Sequence, residues 1–470
     1  MSPRTRSWMI GERPGEEIEE KIAGRWKLPT PYVSGWCKLC SNMKILNDCQ
    51  ALDAQDALRH LRNQFNLPKG LIYLDGNSLG ALPKATASRV ADVVNQEWGE
   101  GLIRSWNSAG WIDQPARLGD NIARLIGAGP GEVVATDSTS INLFKVLSVA
   151  MQMATQQSPN RKVVLSERSN FPTDLYMAEG LCRTHGFNLK LIDADDVEAS
   201  LTPDAAVLML THVNYRTGAM FEMRAITQAA ARAGVLSIWD LAHSAGAVPV
   251  DLTAADADFA VGCGYKFLNG GPGAPAFVWV NPRHAKAANP VAQPLQGWLG
   301  HAAPFAFTPG YSPAAGIKQY LCGTPTVLGM AALGCGLDTL LAAEPLGGMN
   351  ALYAKSLALS ELFMTLVTER CAGHKMDIVT PRLHAQRGSQ VSLACAPASA
   401  YAVMQALIAR GVIGDFRAGN GGTEPDILRF GFTPLYTSFE DVWHAVGHLK
   451  QVLDSGEWKR VDFNQKHAVT

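Results

Sequence analysis

The chain has 470 residues, 47% of them hydrophobic and 18% charged, with a formal net charge of −1. That is the composition of an ordinary globular protein, and the length exceeds the roughly 250 to 300 residues at which a single core stops growing, so a large unit and a smaller one are expected. A near-neutral charge gives no global reason to bind nucleic acid or an acidic membrane surface; no apolar run of roughly 18 to 20 residues and no signal peptide is evident, which points to a cytoplasmic protein with a small-molecule partner.

Residues 1–42 mix charge, Pro and Gly without a sustained period and read as a disordered extension. The acids Glu16, Glu17, Glu19 and Glu20 argue against an organellar transit peptide. Cys37 and Cys40 form a lone C-x-x-C with no second pair at zinc spacing, so no metal site is expected, and the odd total of nine cysteines fits reduced, buried thiols. From Met43 the pattern is that of a folded protein. Leu71-Ile-Tyr-Leu-Asp75 runs into the turn Gly76-Asn77-Ser78, and Val90, Val93, Val94 and Trp98 predict a helix behind Pro83. The apolar runs Val163–Leu165, Ala206–Leu210, Val235–Trp239 and Phe259–Val261 read as strands buried on both faces. Ile226, Ala229, Ala230 and Ala233 mark a helix between two of them, closed by Gly234, so the pattern is strand, helix, strand and the sheet is parallel. Beyond about residue 335 come the strands Gln390–Ala394 and Ile427–Phe430 and helices at 400–410 and 439–453, the last with Phe439, Val442, Trp443, Val446 and Leu449 on one stripe.

Ligands of an open parallel sheet collect beyond the carboxyl ends of its strands, and three strings stand there. Asp240 ends the run Val235–Trp239. A carboxylate so placed needs a cation or donors, and the protonated pyridine nitrogen of pyridoxal phosphate is such a cation; a helix-capping role for Asp240 stays equally open on this string alone. Lys266 lies in Gly264-Tyr-Lys-Phe-Leu-Asn-Gly-Gly-Pro-Gly273, among apolar and glycine residues, where burial favours the free amine needed for a Schiff base. The string is no phosphate-binding P-loop, because the lysine precedes the glycines, and no dinucleotide fingerprint, because Phe267 stands where the third glycine belongs. Asp137-Ser-Thr-Ser-Ile-Asn-Leu143 precedes a helix, and its hydroxyls are either caps or, with free N–H groups, a phosphate site. The order phosphate site, Asp, Lys makes the three strings one constellation.

Together with Tyr73-Leu-Asp-Gly-Asn-Ser-Leu-Gly80, Arg104-Ser-Trp-Asn107, Asn170-Phe-Pro-Thr-Asp174, Asp240-Leu-Ala-His243, Gln296-Gly-Trp-Leu-Gly-His301 and Arg429-Phe-Gly-Phe-Thr-Pro-Leu-Tyr436, this constellation resembles the kynureninase family of pyridoxal-phosphate enzymes, from about Met43 to the carboxyl end. The resemblance implies the α/β fold type I of PLP-dependent transferases, with a large domain on a mostly parallel sheet, a smaller C-terminal α/β domain, and a homodimer with sites at the interface. The expected division is 1–42 extension, 43–110 an arm packing on the large domain, 111–335 the cofactor-binding domain, 336–460 the small domain and 461–470 a tail. It further implies a hydrolase that cleaves L-kynurenine, and with it 3-hydroxy-L-kynurenine, to anthranilate or 3-hydroxyanthranilate and L-alanine, in tryptophan breakdown and pyridine nucleotide biosynthesis.

Carried over by position, Lys266 holds the cofactor aldehyde and Asp240 pairs with the pyridine nitrogen. Phe171, with Pro172 and Thr173 beside it, lies at the ring face, and Thr139, Ser140 and Tyr265 surround the phosphate. Trp298 and Thr324 complete the cofactor site from a partner subunit, and Asp174, Thr211 and His243 fill its remaining positions. Arg429 grips the substrate carboxylate with its forked donors, Trp106 and His301 flank the substrate's aromatic ring, and Tyr265 is the acid–base candidate at the carbonyl. Residues 1–42 depart from the family pattern, which starts near Met43, so Met43 is a candidate start. The rivals are a class V aminotransferase or cysteine desulfurase, for which Cys322 or Cys335 would supply the thiol, a non-catalytic binding protein, and a nicotinamide dehydrogenase.

Overall fold

The computed structural model describes residues 45–285, 291–396, 399–421 and 424–465. The expectations for residues 1–42, Met43 and the pair Cys37/Cys40 fall outside these residues. Thirteen strands are present among them: β1 (Ile72–Tyr73), β2 (Val133–Thr136), β3 (Val163–Glu167), β4 (Asn188–Ile192), β5 (Ala205–Thr211), β6 (Leu236–Asp240), β7 (Phe259–Gly262), β8 (Ala276–Val280), β9 (Met376–Ile378), β10 (Gln390–Cys395), β11 (Val412–Ile413), β12 (Asp415–Arg417) and β13 (Ile427–Gly431).

Seven of them form the main sheet in the order β2-β8-β7-β6-β5-β3-β4. Strands β4, β3, β5, β6 and β7 are parallel neighbours, whereas β8 runs antiparallel between β7 and β2. The continuous apolar runs of β5 to β7 follow from cover on both faces. Leu208, Leu210, Trp239 and Ala260 enter one core, while Val207, Met209, Ile238, Phe259 and Val261 enter the other, as the two-residue period of a strand requires. Helices Gln114–Leu125 and Met223–Arg232 cover the first face, and Thr139–Gln157 and Pro172–His185 the second. The chain leaves β3 outward to β4 and then returns to β5 on the other side of β3, so the crevice beyond the carboxyl ends of β3 and β5 is a topological switch point.

A third core forms on the antiparallel sheet β12-β13-β10-β9 and helices Gly348–Arg370, Ala400–Ala409 and Phe439–Ser455. The arm 43–110, expected to pack on the large unit, touches the first and the third core through its described residues 45–110. Cys49, Leu52 and Leu74 join the third, and Leu58, Leu61, Phe65 and Ala81 join the first. Its anchors are polar as well as apolar. Asp53 accepts from the backbone N–H groups of Phe439 (2.8 Å) and Glu440 (2.9 Å) at the start of the last helix, β1 pairs with β11, and the buried Lys355 Nζ lies 2.8 Å from Asp56 Oδ2.

Two sequence expectations need correction. The helix behind Pro83 is α-helical only over Lys84–Asp92 and continues as a π-helix, Val93–Gly101, whose wider turn breaks the expected stripe: Val93 is buried, but Trp98 is 58% exposed. Two helices, Val327–Leu346 and Gly348–Arg370, are long and apolar enough to cross a membrane by length and composition, although no such run was expected. Their apolar windows are 50% and 72% buried against the rest of the fold, as core helices are.

Candidate active site

Asp240 closes β6 and lies in register with Thr211 at the end of β5. Its carboxylate accepts the Ala242 N–H at 2.8 Å, so the local-capping reading holds in part, but the residues that follow form turns rather than a helix. Asp174, on the first turn of the helix Pro172–His185, lies against Asp240. Burial lifts both carboxyls above the ordinary range; Asp240 lifts Asp174 further, and Lys266 opposes the rise in each. Asp174 Oδ2 is buried with no hydrogen-bond partner among the described residues. Two buried carboxyls thus share a shortage of positive charge, and a protonated ring nitrogen would supply it.

Lys266 stands four residues beyond β7, on a loop packed under the turn after β1. Gly80 N donates to Tyr265 O at 2.8 Å, and a Cβ on Gly80 would lie 2.5 Å from Lys266 O, so only glycine allows this approach. The Lys266 Nζ is 2.9 Å from His243 Nε2, 5.8 Å from the centroid of the Phe171 ring and 5.7 Å from that of Tyr265. His243 Nδ1 is 3.2 Å from Gln390 Oε1, while the Gln390 amide donates to Tyr215 O at 2.9 Å and Asn214 O at 3.3 Å. Those two carbonyls fix the amide with its oxygen toward His243, which places the ring proton on Nδ1 and leaves Nε2 to accept from Lys266. Burial, and then the Lys266 charge, hold His243 well below its ordinary value, so the ring is neutral.

Phe171 caps the helix Pro172–His185, with Pro172 and Thr173 in its first turn, and stacks edge-on against Tyr215 at 5.3 Å. Asn170 fixes this corner: its Oδ1 accepts from Phe171 N at 2.6 Å and from Thr211 Oγ1. Thr139 and Ser140 begin the nineteen-residue helix Thr139–Gln157, capped by Ser138, and their half-buried first-turn N–H groups suit a phosphate. Burial pushes the Tyr265 hydroxyl up, so it is a neutral donor.

Arg429, in the middle of β13, is 1% exposed. The sequence led us to expect a free fork of donors, but three of its five N–H groups are engaged. Nη1 donates to Tyr215 O (2.8 Å), and Nη2 donates to Ser78 Oγ (2.7 Å) and to Asp415 Oδ2. Its Nε is buried without a partner among the described residues. Tyr215 O, shared with Gln390, connects this arginine to His243 and Lys266.

The structure therefore brings Lys266, Tyr265, His243, Asp240, Asp174, Thr211 and Phe171 together, with Arg429 one carbonyl away. The other four sequence candidates are Trp106, Trp298, His301 and Thr324. Trp106 and Trp298 pack edge-on at 5.8 Å, His301 contacts Gly310 O at 3.2 Å, and Thr324 is exposed; among the described residues no hydrogen bond, ion pair or ring contact joins these four to Lys266. Sequence reasoning missed Gln390, Tyr215, Asn170, Asn214 and Asp415. The strings around Asn170 and Arg429 were visible, but nothing local marks Gln390 or Asp415.

Cys335 does not suit a desulfurase. Cys335 is on a helix, and burial followed by Asp338 raises it, which disfavours the thiolate; Cys322 is half-buried.

A family model described as the kynureninase C-terminal domain matches residues 352–449. The kynureninase of Pseudomonas fluorescens is 55% identical over 431 residues, covering 91% of this chain and all of that protein. That of Burkholderia pseudomallei is 54% identical over 431 residues, with the same coverage. Among solved structures, the apo cysteine desulfurase of Thermococcus onnurineus NA1 is similar with a TM-score of 0.70 at 19% identity, covering 84% of this chain and 98% of that one. A C-DES mutant with glycine covalently linked to its PLP cofactor is similar with a TM-score of 0.71 at 17% identity, covering 83% and 98%. At these identities the two structures show the fold, a PLP-type α/β architecture.

Proposed function

The chain belongs to the kynureninase family, and from that premise we propose that it hydrolyses L-kynurenine between Cβ and Cγ, releasing anthranilate and L-alanine, within the kynurenine pathway of tryptophan breakdown and pyridine nucleotide biosynthesis. It is a pyridoxal-phosphate-dependent hydrolase of carbon–carbon bonds in ketonic substrates. The observation that carries this reading is the 55% identity over the whole length of a curated kynureninase, in a chain whose Lys266 Nζ stands beside His243 at the strand ends.

The residues present fit the cofactor: burial raises both Asp174 and Asp240 in spite of Lys266, Asp174 Oδ2 has no partner among the described residues, and a long helix opens its N-terminus at Thr139 and Ser140. Pyridoxal phosphate, when bound, supplies an electron sink for the bonds around the amino acid's Cα. Lys266 would hold its aldehyde, with His243 Nε2 orienting the amine. Asp240, backed by Thr211 and Asp174, would keep the pyridine nitrogen protonated, and Phe171 would lie on the ring face. Thr139, Ser140 and Tyr265 would surround the phosphate. Lys266, once freed, would move the Cα proton, and the neutral Tyr265 hydroxyl would give or take a proton at the substrate's γ-carbonyl oxygen. Arg429 would hold the α-carboxylate.

The chain is further proposed to act as a cytoplasmic homodimer, in which Trp298 and Thr324 complete a partner's cofactor site and Trp106 and His301 flank the substrate ring. Exposed apolar residues support this, including Trp98 at 58%, Ile103 at 77% and Phe307 at 79%. The separate core on the antiparallel sheet likewise supports a small domain within 336–460 beside a large one over 111–335, with Leu337, Leu340, Leu352 and Leu357 of the small domain packed in the first core. 3-Hydroxy-L-kynurenine is proposed as a second substrate of the same site.

Anthranilate fluorescence with purified protein, with and without added cofactor, tests the activity. Anthranilate release that depends on the cofactor, together with a visible band that borohydride fixes onto the Lys266 peptide, is expected. Sulfide from L-cysteine in place of anthranilate would overturn the reading, and a parental rate in Tyr265→Phe would remove that residue from the mechanism.

A further inference from the structure

The engagement of Arg429 carries a further consequence for the substrate site. Arg429 on β13 and Asp415 on β12 are directly opposed in the strand register, 1% and 3% exposed, and Asp415 Oδ2 takes one of the two Nη2 hydrogens. Arg417 Nε lies 2.8 Å from the same Oδ2, so one carboxylate stands between two guanidiniums. With the second Nη2 hydrogen on Ser78 and one Nη1 hydrogen on Tyr215 O, Nε–H and one Nη1–H remain without a partner among the described residues, and Nε is buried. A buried donor with no acceptor is costly unless something absent from the chain supplies one.

We propose that Asp415 is a positioning residue for the substrate α-carboxylate: it fixes the Arg429 fork before substrate arrives and leaves the unpaired donors for it. Asp415 suits this task because its backbone is paired to that of Arg429. Ser78 belongs to the turn after β1 and is the acceptor that can yield when a bidentate grip requires an Nη2 hydrogen. An isolated buried arginine would sample other rotamers or pull in water; an opposed carboxylate holds its plane. The inference rests on Arg429 binding the carboxylate.

The test compares holoenzyme of the parent, Asp415→Asn and Asp415→Glu. It measures kcat and KM for L-kynurenine, spectroscopic binding of L-alanine, and competitive binding of kynuramine, which is kynurenine without its carboxylate. Asp415→Asn is expected to raise KM and weaken L-alanine by a shared factor of about ten or more, with kcat within about threefold and kynuramine unchanged; Asp415→Glu recovers part of the loss. Equal losses for kynuramine, or a fall in kcat without a rise in KM, would overturn the role and leave a merely structural ion pair. If Asp415→Asn does not fold, Asp415→Glu must show the same split between KM and kcat, and its absence overturns the proposal. A parent that releases no anthranilate while Asp415→Asn still loses L-alanine refutes the substrate reading and supports this one. A parent that releases anthranilate while Asp415→Asn binds L-alanine normally refutes this one alone.

Discussion

Replacing Asp75 by Asn should remove a pH dependence from substrate binding. Asp75 follows β1, beside the Arg429 cluster, and its Oδ1 is buried without a partner among the described residues. Burial, and then Asp415, push its carboxyl from 3.8 up to about 7, against the opposing charges of Arg429 and Arg417. Tyr73 and Tyr436 also face it, but burial raises both hydroxyls, so they stay neutral. Because the folded value lies above the unfolded one, the stability Asp75 contributes is complete below pH 3.8 and is lost as pH rises through about 7. At about 1.4 kcal/mol per pH unit, the ionised form above pH 7 costs the fold about 4 kcal/mol. The same ionisation adds a negative charge near Arg429. Across about 10 Å, at an effective dielectric of about 20, it repels a substrate carboxylate by about 1.7 kcal/mol, or roughly fifteenfold in binding. The assay is KM for L-kynurenine by anthranilate fluorescence from about pH 6 to 9, with urea unfolding at both ends. The parent's KM should rise by about an order of magnitude through pH 7. In Asp75→Asn it should stay level, and the variant should be the more stable of the two only at the alkaline end. A rise in KM of the same size and midpoint in the variant would refute the reasoning.

Two further outcomes follow from the same geometry. Asp240→Asn removes the charge that would keep the pyridine nitrogen protonated, so kcat for anthranilate release should fall by about a hundredfold or more while the visible band of bound cofactor persists; a loss under tenfold would be incompatible with that role. Lys355→Met leaves Asp56 buried without its ion pair and Pro434 O without its 2.7 Å donor, and should cost about 3–5 kcal/mol in chemical denaturation. A change below about 1 kcal/mol would show that the pair is not what ties the amino-terminal arm to the third core.

What could be read from the sequence was what is written locally. The apolar runs of β5, β6 and β7 are contiguous because both faces of a central strand are covered, and the polar residues that end them must lie at one edge of the sheet, so Asp240 and the Lys266 loop were visible as neighbours before any folding was considered. Hydroxyls before an apolar helix, and a proline at the first helical position after Phe171, are equally local signals. The tertiary structure alone decided the second half of the site. Gln390 reaches His243 across 147 positions of chain, and Arg429 reaches Tyr215 O across 214. No periodicity or cap encodes such pairs, because they exist only once the antiparallel sheet docks against the switch point of the large one. The physical reason is one of range: propensity and patterning act within a few residues, whereas the tautomer of His243 and the donors left free on Arg429 are set by which buried groups the packed fold forces to share hydrogen bonds.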